Sequence, residues 1–208
     1  MIRVYGYRYS VYTWIVRMAL AERGLGYDWT EVNPFDPASA NPHPFGRVPL
    51  IEDGELRIYE VRAITAFLDG FPGDSWTPEA ALPRARAEQV IGIVDSYAYW
   101  PMVREVFAPA VFAEGAPDTA LIARGMEKSL PVLTALEGIA QEGAVLNGTL
   151  TRADLHLAPM IAYFTMYPPA AKALADHPAL ANWFAGMRER DSFVRTIPDV
   201  PTRQPRNT

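Results

Sequence analysis

Ser10 and Glu60 each stand at the start of a predicted helix, where a hydroxyl or a carboxylate can take part in chemistry. Ser10 precedes the run VYTWIVRMALAERG, and Glu60 opens a run to Leu68 that has its apolar residues on one face. A hydroxyl donor beside the positive end of a helix can stabilise an anion, and a carboxylate is itself favoured there. Serine is also a preferred helix N-cap, so a purely structural role would account for Ser10 as well.

The absence of cysteine limits the chemistry that the chain can perform by itself. With no cysteine among the 208 residues, the sequence excludes disulfides, zinc-thiolate sites, cysteine nucleophiles and a redox Cys-x-x-Cys motif. Any thiol chemistry therefore requires a thiol supplied by another molecule. His43, His156 and His177 are too scattered for a metal-binding cluster. The sequence predicts no metal centre.

Pro49 lies at the start of a predicted strand, where its missing N–H restricts how the residue can be used. The surrounding stretch, RVPLIEDGELRIYEVRAI over residues 47–64, places Asp53-Gly54 between two strand-like runs, which is typical of a hairpin. Proline in a strand is tolerated at a sheet edge or in a cis turn. Taken alone, an edge-strand proline is the simpler interpretation.

The patterns on either side of Pro49 predict a small α/β domain with the order β-α-β followed by β-β-α. Alternating β-branched and aromatic residues indicate the strands, and an apolar stripe closed by a glycine indicates the first helix. The predicted elements are strands 2–7 and 27–32 around a helix after Ser10, an irregular connection over 33–46, the hairpin, and the helix from Glu60.

A change of pattern after Pro83 predicts a second, all-helical domain. The stretch GFPGDSWTP is rich in glycine and proline and is typical of a linker. Strand patterns are absent beyond it, and helical periodicity takes over. We therefore expect domains at 1–79 and 84–208. The predicted helices of the second domain are 84–112, 118–140, 152–165, 170–176 and 179–190.

Composition and charge narrow the classes of partner. The formal net charge is -5 and no run of basic residues occurs, which argues against nucleic acid as a partner. No apolar stretch approaches the ~18 residues of a membrane span. The N-terminal residues lack the pattern of a signal peptide. We expect a cytoplasmic protein without a membrane or nucleic-acid partner.

Together these features resemble the glutathione transferases, over essentially the whole chain and in the right order. A Val-Pro pair, a hairpin and a helix that opens on an acidic residue, all after β-α-β, are similar to the thioredoxin-like half of that family. The stretch PFGRVPLIEDGELRIYEVRAI looks most like the phi type, and YSVYTWIVRMAL is similar to the zeta and theta types around their serine. In the second domain, LTRADLHLAP resembles the start of the family's sixth helix, with Thr151 and Asp154 as a structural capping pair.

The resemblance implies a role for each residue of a glutathione site. Pro49 would be cis, so that the N–H and C=O of Val48 pair with the cysteinyl main chain of glutathione as an added strand does. Ser10 would donate a hydrogen bond to the glutathione sulfur and stabilise the thiolate. Glu60 would meet the γ-glutamyl ammonium group, and Arg47 would reach a ligand carboxylate, although an exposed surface arginine is an equally simple interpretation.

Three positions depart from the family pattern. Val61 stands where the family has a serine whose hydroxyl meets the γ-glutamyl carboxylate, so only the backbone N–H of Val61 is available there. Pro34 and Phe35 lie where phi-type relatives offer a basic pair for the glycine carboxylate. These departures predict weaker glutathione binding or a related thiol ligand.

The residues that would hold the second substrate are less sharply defined by sequence. Tyr97, Trp100 and Arg104 are spaced three and four apart, which would place them on one face of an α-helix, with Pro101 kinking that helix. In the glutathione transferase fold, this helix face borders the cleft that binds the electrophile. The alternative is that the three side chains form a buried stripe in the protein core. Tyr7 is a further pocket residue and the rival of Ser10, because other transferase types use a tyrosine as the sulfur's donor.

The predicted function is a cytosolic, homodimeric, serine-type glutathione transferase with a role in detoxification. It would bind glutathione as co-substrate and transfer the thiolate to a hydrophobic electrophile, without a metal. A zeta-like, glutathione-dependent cis-trans isomerase is one alternative. A non-enzymatic binding module is another, favoured by Val61 and the missing basic pair and opposed by Ser10, Val48-Pro49 and Glu60.

Overall fold

A computed structural model describes residues 1–112 and 115–201. Within these residues, four short strands form one mixed sheet in the spatial order β2-β1-β3-β4. β1 pairs with β2 in parallel and with β3 antiparallel, and β3 and β4 form a hairpin around Gly54, whose φ of 60° favours glycine. The strands are Ile2–Gly6 (β1), Tyr27–Glu31 (β2), Leu50–Asp53 (β3) and Leu56–Tyr59 (β4).

Two helices pack with this sheet and complete the predicted β-α-β, β-β-α order. α1 spans Val11–Glu22 and α2 spans Val61–Asp69. The apolar faces of both helices are buried together with the inward side chains of β1 and β3. Burial removes this apolar surface from water, which stabilises the layer. The core of this layer consists of Val4, Trp14, Ile15, Leu20, Ile51, Ile64 and Leu68.

The chain beyond residue 80 is helical in the part that the structure describes. This confirms the predicted fold class, a thioredoxin-like α/β domain followed by an all-α domain. None of the described helices is both long and apolar enough to cross a membrane. The helices are Ala81–Ile93 (α3), Ala108–Val111 (α4), Thr119–Glu142 (α5), Arg152–Thr165 (α6), Pro168–Ala175 (α7), Pro178–Glu189 (α8) and Asp191–Thr196 (α9).

The predicted helix over 84–112, kinked at Pro101, is divided into α3, a π-type segment and α4. Between α3 and α4 the backbone forms π-type turns over Val94–Phe107, and at its end the Ala108 N–H donates to the carbonyl of Val103, five residues back. Pro101 lies inside this segment and has no N–H to donate, so α-type hydrogen bonding cannot continue unbroken across it. The rule that residues three and four apart share a helix face therefore does not carry over strictly to Tyr97, Trp100 and Arg104.

The chain divides into two compact units, and the first includes a segment from near the C-terminus. Unit 1 comprises residues 1–78 and 189–198, and unit 2 comprises the described residues of 79–188 and 199–201. α9 packs on α1 within unit 1, where the Trp14 indole N–H donates to the Thr196 hydroxyl at 3.0 Å. The domain limits 1–79 and 84–208 remain a prediction, in which residues 189–198 belong to the helical domain.

Candidate functional site

One end of the sheet gathers the residues expected to contact glutathione. Tyr5 of β1 pairs with Leu50 of β3, and Leu50 pairs in turn with Tyr59 of β4. β1 and β4 run toward this end and β3 runs away from it. The chain therefore reaches Ser10 just after β1, leaves Val48 just before β3, and reaches Glu60 just after β4, all at the same edge.

Ser10 is the N-cap of α1. Its backbone is extended, with φ -76° and ψ 123°, and its Oγ accepts a hydrogen bond from the Thr13 N–H at 3.2 Å. The Ser10 N–H donates to the carbonyl of Tyr7 at 2.8 Å, which fixes the turn into the helix. The cap uses one lone pair of the hydroxyl oxygen, so the hydroxyl proton is still available to a ligand acceptor.

Val48 presents its backbone at this edge. The Val48–Pro49 peptide bond is cis, which confirms the prediction for Pro49. No residue in 1–112 or 115–201 hydrogen-bonds to the N–H or C=O of Val48. Pro49 itself is buried and Arg47 is exposed. The backbone of Val48 can therefore accept an added, strand-like partner.

Glu60 and Val61 form the entry to α2. Glu60 has φ 67° and ψ 117°, a conformation that costs roughly 1–3 kcal/mol for a residue with a side chain and persists only where its surroundings hold it. The Glu60 carboxylate is exposed and does not cap the helix. The Val61 side chain is 8% exposed and packs inward, so its N–H is what this residue offers to a ligand anion.

Comparison with known proteins assigns the family. Family models described as the N-terminal and C-terminal domains of glutathione S-transferase match residues 4–75 and 98–191. A glutathione S-transferase of Hyoscyamus muticus is 30% identical over 74% of this chain and 76% of its own. The chain belongs to the glutathione S-transferase family.

Other relatives extend the similarity over the whole chain. Glutathione S-transferase F13 of Arabidopsis thaliana is 26% identical over 96% of both chains. The solved structure of glutathione S-transferase III in its apo form matches with a TM-score of 0.82 and 25% identity, over 98% of this chain and 99% of that one. The similarity therefore includes both the sheet-containing unit and the helical unit.

Tyr7 is the alternative to Ser10 as the hydrogen-bond donor to the glutathione sulfur, and it lies in an aromatic cluster of this glutathione S-transferase. Its ring meets Tyr9 edge-on at a centroid distance of 5.4 Å and Phe35 at 5.9 Å. Burial, with a smaller effect of the nearby Tyr9 and Glu31, raises the pKa of the Tyr7 phenol. The raised pKa keeps the Tyr7 phenol protonated, so Tyr7 stays the alternative to Ser10 as a hydrogen-bond donor to the sulfur.

Phe35 stands where the phi-type relatives are expected to have the second residue of a basic pair. It lies close after β2, which ends at the same edge of the sheet, and its side chain is 64% exposed. Pro34 before it is partly buried. Neither side chain can pair with a carboxylate, so at these two positions the structure provides no charge for the glycine end of glutathione.

Sequence reasoning missed two residues of the loop that leads to Val48. The Asn41 amide donates to the carbonyl of Arg47 at 3.1 Å, and Asn41 Oδ1 accepts the His43 N–H at 3.0 Å. His43 Nδ1 in turn accepts the Phe45 N–H at 3.1 Å. The only sequence signal was the alternation of Asn and His with Pro42 and Pro44, which is typical of turns but names no partner.

The residues expected to line the electrophile pocket lie in unit 2, except for Tyr7. Tyr97 and Trp100 are 65% and 59% exposed, which is unusual for such large aromatic side chains and excludes the alternative of a buried core stripe. Arg104 is half-buried in the same π-type segment. Among the described residues no group of acidic, histidine or cysteine side chains could hold a metal ion.

Proposed function

We propose that this glutathione transferase is a serine-type enzyme that binds glutathione at the sheet edge of unit 1. The observation that carries the proposal is that Ser10, Val48 and Glu60 leave the sheet at the same end. Val48 would pair with the cysteinyl main chain, Glu60 with the γ-glutamyl ammonium, and the Val61 N–H with the γ-glutamyl carboxylate. Arg47 is exposed and supplies a positive charge beside the ligand.

Ser10 would supply the chemistry by lowering the pKa of the bound thiol. A free thiol has a pKa near ~8.5, and each unit of lowering corresponds to a preference of about 1.4 kcal/mol for the thiolate. The Ser10 hydroxyl proton and the positive end of α1 both favour a negative sulfur at this place. The thiolate then attacks an electrophilic carbon, the new C–S bond forms, and the leaving group departs with its electron pair.

The second substrate would be a hydrophobic electrophile. The aromatic rings of Tyr97 and Trp100 support this, since the described residues leave most of their apolar surface exposed. Arg104, in the same segment of unit 2, would favour electrophiles that carry a partial negative charge near the reacting carbon.

We also propose that the enzyme works as a cytoplasmic homodimer with a role in detoxification. These three statements rest on the family resemblance. Phe45 and Leu56 of unit 1, which are 69% and 47% exposed, are apolar surface that a second subunit could cover. Sedimentation at micromolar concentration would detect the dimer, and a single species of 23.1 kDa would contradict it.

The proposal is tested by calorimetric titration with glutathione and by turnover of a chlorinated nitrobenzene. We expect binding and glutathione-dependent release of chloride. Glu60→Gln is the matched variant, because it removes the charge and keeps the shape. It should weaken glutathione binding by about ten-fold, the value of one charge-assisted hydrogen bond. Absence of both binding and turnover in the parent protein would refute the proposal.

A further inference from the structure

The loop of residues 41–48, which ends at the proposed glutathione contact, is held in shape by two of its own side chains. Asn41 and His43 each accept an N–H from the residue two positions on, at 3.0 Å and 3.1 Å. The Gly46 N–H closes a turn onto the His43 carbonyl at 2.9 Å. Such side-chain turns fix a connection that has no sheet or helix bonds of its own.

The same loop controls the orientation of the Val48 N–H. The Asn41 amide donates to the carbonyl of Arg47 at 3.1 Å. That carbonyl and the Val48 N–H belong to one planar peptide unit and point to opposite sides of it. A hydrogen bond that holds the Arg47 carbonyl therefore also aims the Val48 N–H.

His43 anchors this arrangement in unit 1. Its ring is 6% exposed and lies against Tyr59 of β4 at 5.1 Å and Phe45 at 6.0 Å between ring centroids. Because Nδ1 accepts the Phe45 N–H, the ring has to be neutral with its proton on Nε2. A second proton, on Nδ1, would replace the acceptor with a donor and break this bond.

The charges around His43 do not favour that second proton. Burial is the largest influence and lowers the pKa of the His43 imidazole below its ordinary value of 6.5. The Glu60 carboxylate on the α2 side opposes this effect, and the Arg47 guanidinium on the loop adds to it. The ring is therefore neutral at pH 7 and gains its proton only below its ordinary pKa of 6.5.

We propose that Asn41 and neutral His43 are positioning residues that preset the Val48 peptide unit for glutathione, so that protonation of His43 weakens glutathione binding. The inference rests on the proposed function, because it assigns the Val48 backbone to glutathione. Neither side chain contacts the reacting sulfur. Their contribution is to hold the loop in the bound shape before the ligand arrives, which reduces the entropy lost on binding.

The experiment is a calorimetric titration of the full chain with S-methylglutathione between pH 7.5 and pH 5. This ligand has no titratable thiol, so ionisation of the sulfur that Ser10 is proposed to contact does not affect the measured affinity. The parent protein should bind more than about two-fold more weakly at pH 5 than at pH 7.5, because His43 gains its proton only below its ordinary pKa of 6.5. His43→Asn keeps an acceptor close to Nδ1 that does not titrate, and its dissociation constant should stay within about two-fold over the range.

Two further variants define the result. Asn41→Ala should weaken binding about ten-fold at every pH, because the Arg47 carbonyl loses its donor. His177→Asn, in unit 2, should keep the pH dependence of the parent. Circular dichroism at each pH checks that every variant remains folded.

A measurement on the unaltered protein makes the test independent of any variant. If neutral His43 favours binding, saturating ligand has to lower the pKa of His43, and the acid dissociation constant rises by the same factor by which the proton weakens binding. Proton NMR of the histidine ring hydrogens follows that pKa. An unchanged His43 pKa, pH-independent binding, or an Asn41→Ala variant that binds like the parent would each overturn the role of the loop. Absence of binding at pH 7.5 would instead refute the proposed function, and this inference with it.

Discussion

The Ser10 hydroxyl can serve as helix cap and as sulfur donor at the same time. As a cap it accepts the Thr13 N–H through an oxygen lone pair, and as a donor it would use its proton. The two roles therefore do not compete for one atom. Their separate contributions are measurable, because one affects stability and the other affects the bound thiol.

Ser10→Ala is expected to lose both contributions. Removal of the cap should lower the free energy of unfolding by about 0.5–2 kcal/mol, measured by urea denaturation. Removal of the donor should raise the pKa of the bound thiol, seen as weaker thiolate absorbance near neutral pH, and lower turnover of a chlorinated nitrobenzene. Glutathione affinity should change little, since the peptide contacts at Val48 remain.

Tyr7→Phe is the matched control for Ser10→Ala. Phenylalanine keeps the ring packed between Tyr9 and Phe35 and removes only the phenol hydroxyl. We expect nearly full turnover from this variant. If Tyr7→Phe lost turnover while Ser10→Ala kept it, the tyrosine would be the donor and the serine only a cap.

Val61→Thr tests the position where the family serine is missing. Threonine keeps the branched shape of a side chain that is 8% exposed and adds the hydroxyl that valine lacks. If that hydroxyl reaches the γ-glutamyl carboxylate, glutathione binding should tighten by up to about 1.5–3 kcal/mol in calorimetry. Val61→Ala adds no donor and should not tighten binding. Unchanged or weaker binding by the threonine variant would place the γ-glutamyl end elsewhere.

The roles of some of these residues could be predicted from the sequence and those of others could not, for a physical reason. Ser10 and Glu60 stand at helix starts, and Pro49 interrupts a strand, so each breaks a periodic pattern at a definite place. Asn41 and His43 act through side-chain bonds to the backbone of a loop rich in proline, where no periodicity exists to be broken. The partner of such a bond depends on the loop's path, which the residue types alone do not specify.

At the scale of single elements, the start of α6 shows how a buried charge fixes a helix. The Asp154 carboxylate accepts the Thr151 N–H at 2.7 Å, the Thr151 hydroxyl at 2.6 Å and the Trp183 indole N–H of α8 at 2.7 Å. Burial raises the pKa of Asp154, while these donated bonds act in the opposite direction. The carboxylate thus links α6 to α8 and accepts the hydrogen bonds of Thr151, the N-cap residue of α6.

Asp154→Asn should lower the free energy of unfolding by about 1–3 kcal/mol, measured by urea denaturation. Asparagine offers one acceptor oxygen where three donors converge, and its own NH₂ group would face those donors. Thr151→Val removes the hydroxyl alone, so its loss of stability should be smaller. Equal stability of Asp154→Asn and the parent would show that the buried charge costs as much as its hydrogen bonds contribute.

Some helices and strands could be predicted from the sequence, and others could not. The β-α-β, β-β-α order was predictable because alternation and apolar stripes mark each element, and Asp53-Gly54 marks the hairpin. The π-type turns around Pro101 were not, because apolar residues at short spacing look the same in α and π geometry. The close approach of α5 at Gly125, where an added Cβ would lie 2.7 Å from that of Glu105, also depends on tertiary packing.

At the scale of the whole molecule, the two ends of the sequence build unit 1 together. Trp14 of α1 meets Phe193 of α9 at 5.0 Å between ring centroids. At the end of α1, Glu22 forms a two-pronged pair with Arg190, at 2.8 Å and 2.9 Å, and also accepts the Ser192 hydroxyl. No sequence pattern pointed to this, because the partners are 168 residues apart and Arg190 is an ordinary residue just before α9. The helix that begins at Ser10 is thus held by a segment from the far end of the chain.

Glu22→Gln should reveal this link through the pH dependence of stability. Burial opposes ionisation of Glu22, but hydrogen bonds from Arg190 and Ser192 outweigh it and lower its pKa below the ordinary 4.5. A lowered carboxyl pKa stabilises the fold above the unfolded value, and this contribution is lost as pH falls through the folded value. The variant should therefore be about 1–3 kcal/mol less stable than the parent at pH 7, and the difference should shrink below about pH 4.5.

The readout for Glu22→Gln is urea denaturation followed by tryptophan fluorescence at pH 7 and pH 4. Arg195→Gln is the matched control, because it breaks an exposed ion pair with Asp191 on the same helix, α9. Exposed pairs contribute about 0.3–0.5 kcal/mol, so this control should differ little from the parent at either pH. A loss in Glu22→Gln that is equal at both pH values would mean that the charge on Glu22 does not hold the C-terminal segment. The packing of Trp14 against Phe193 would then be its main attachment to α1.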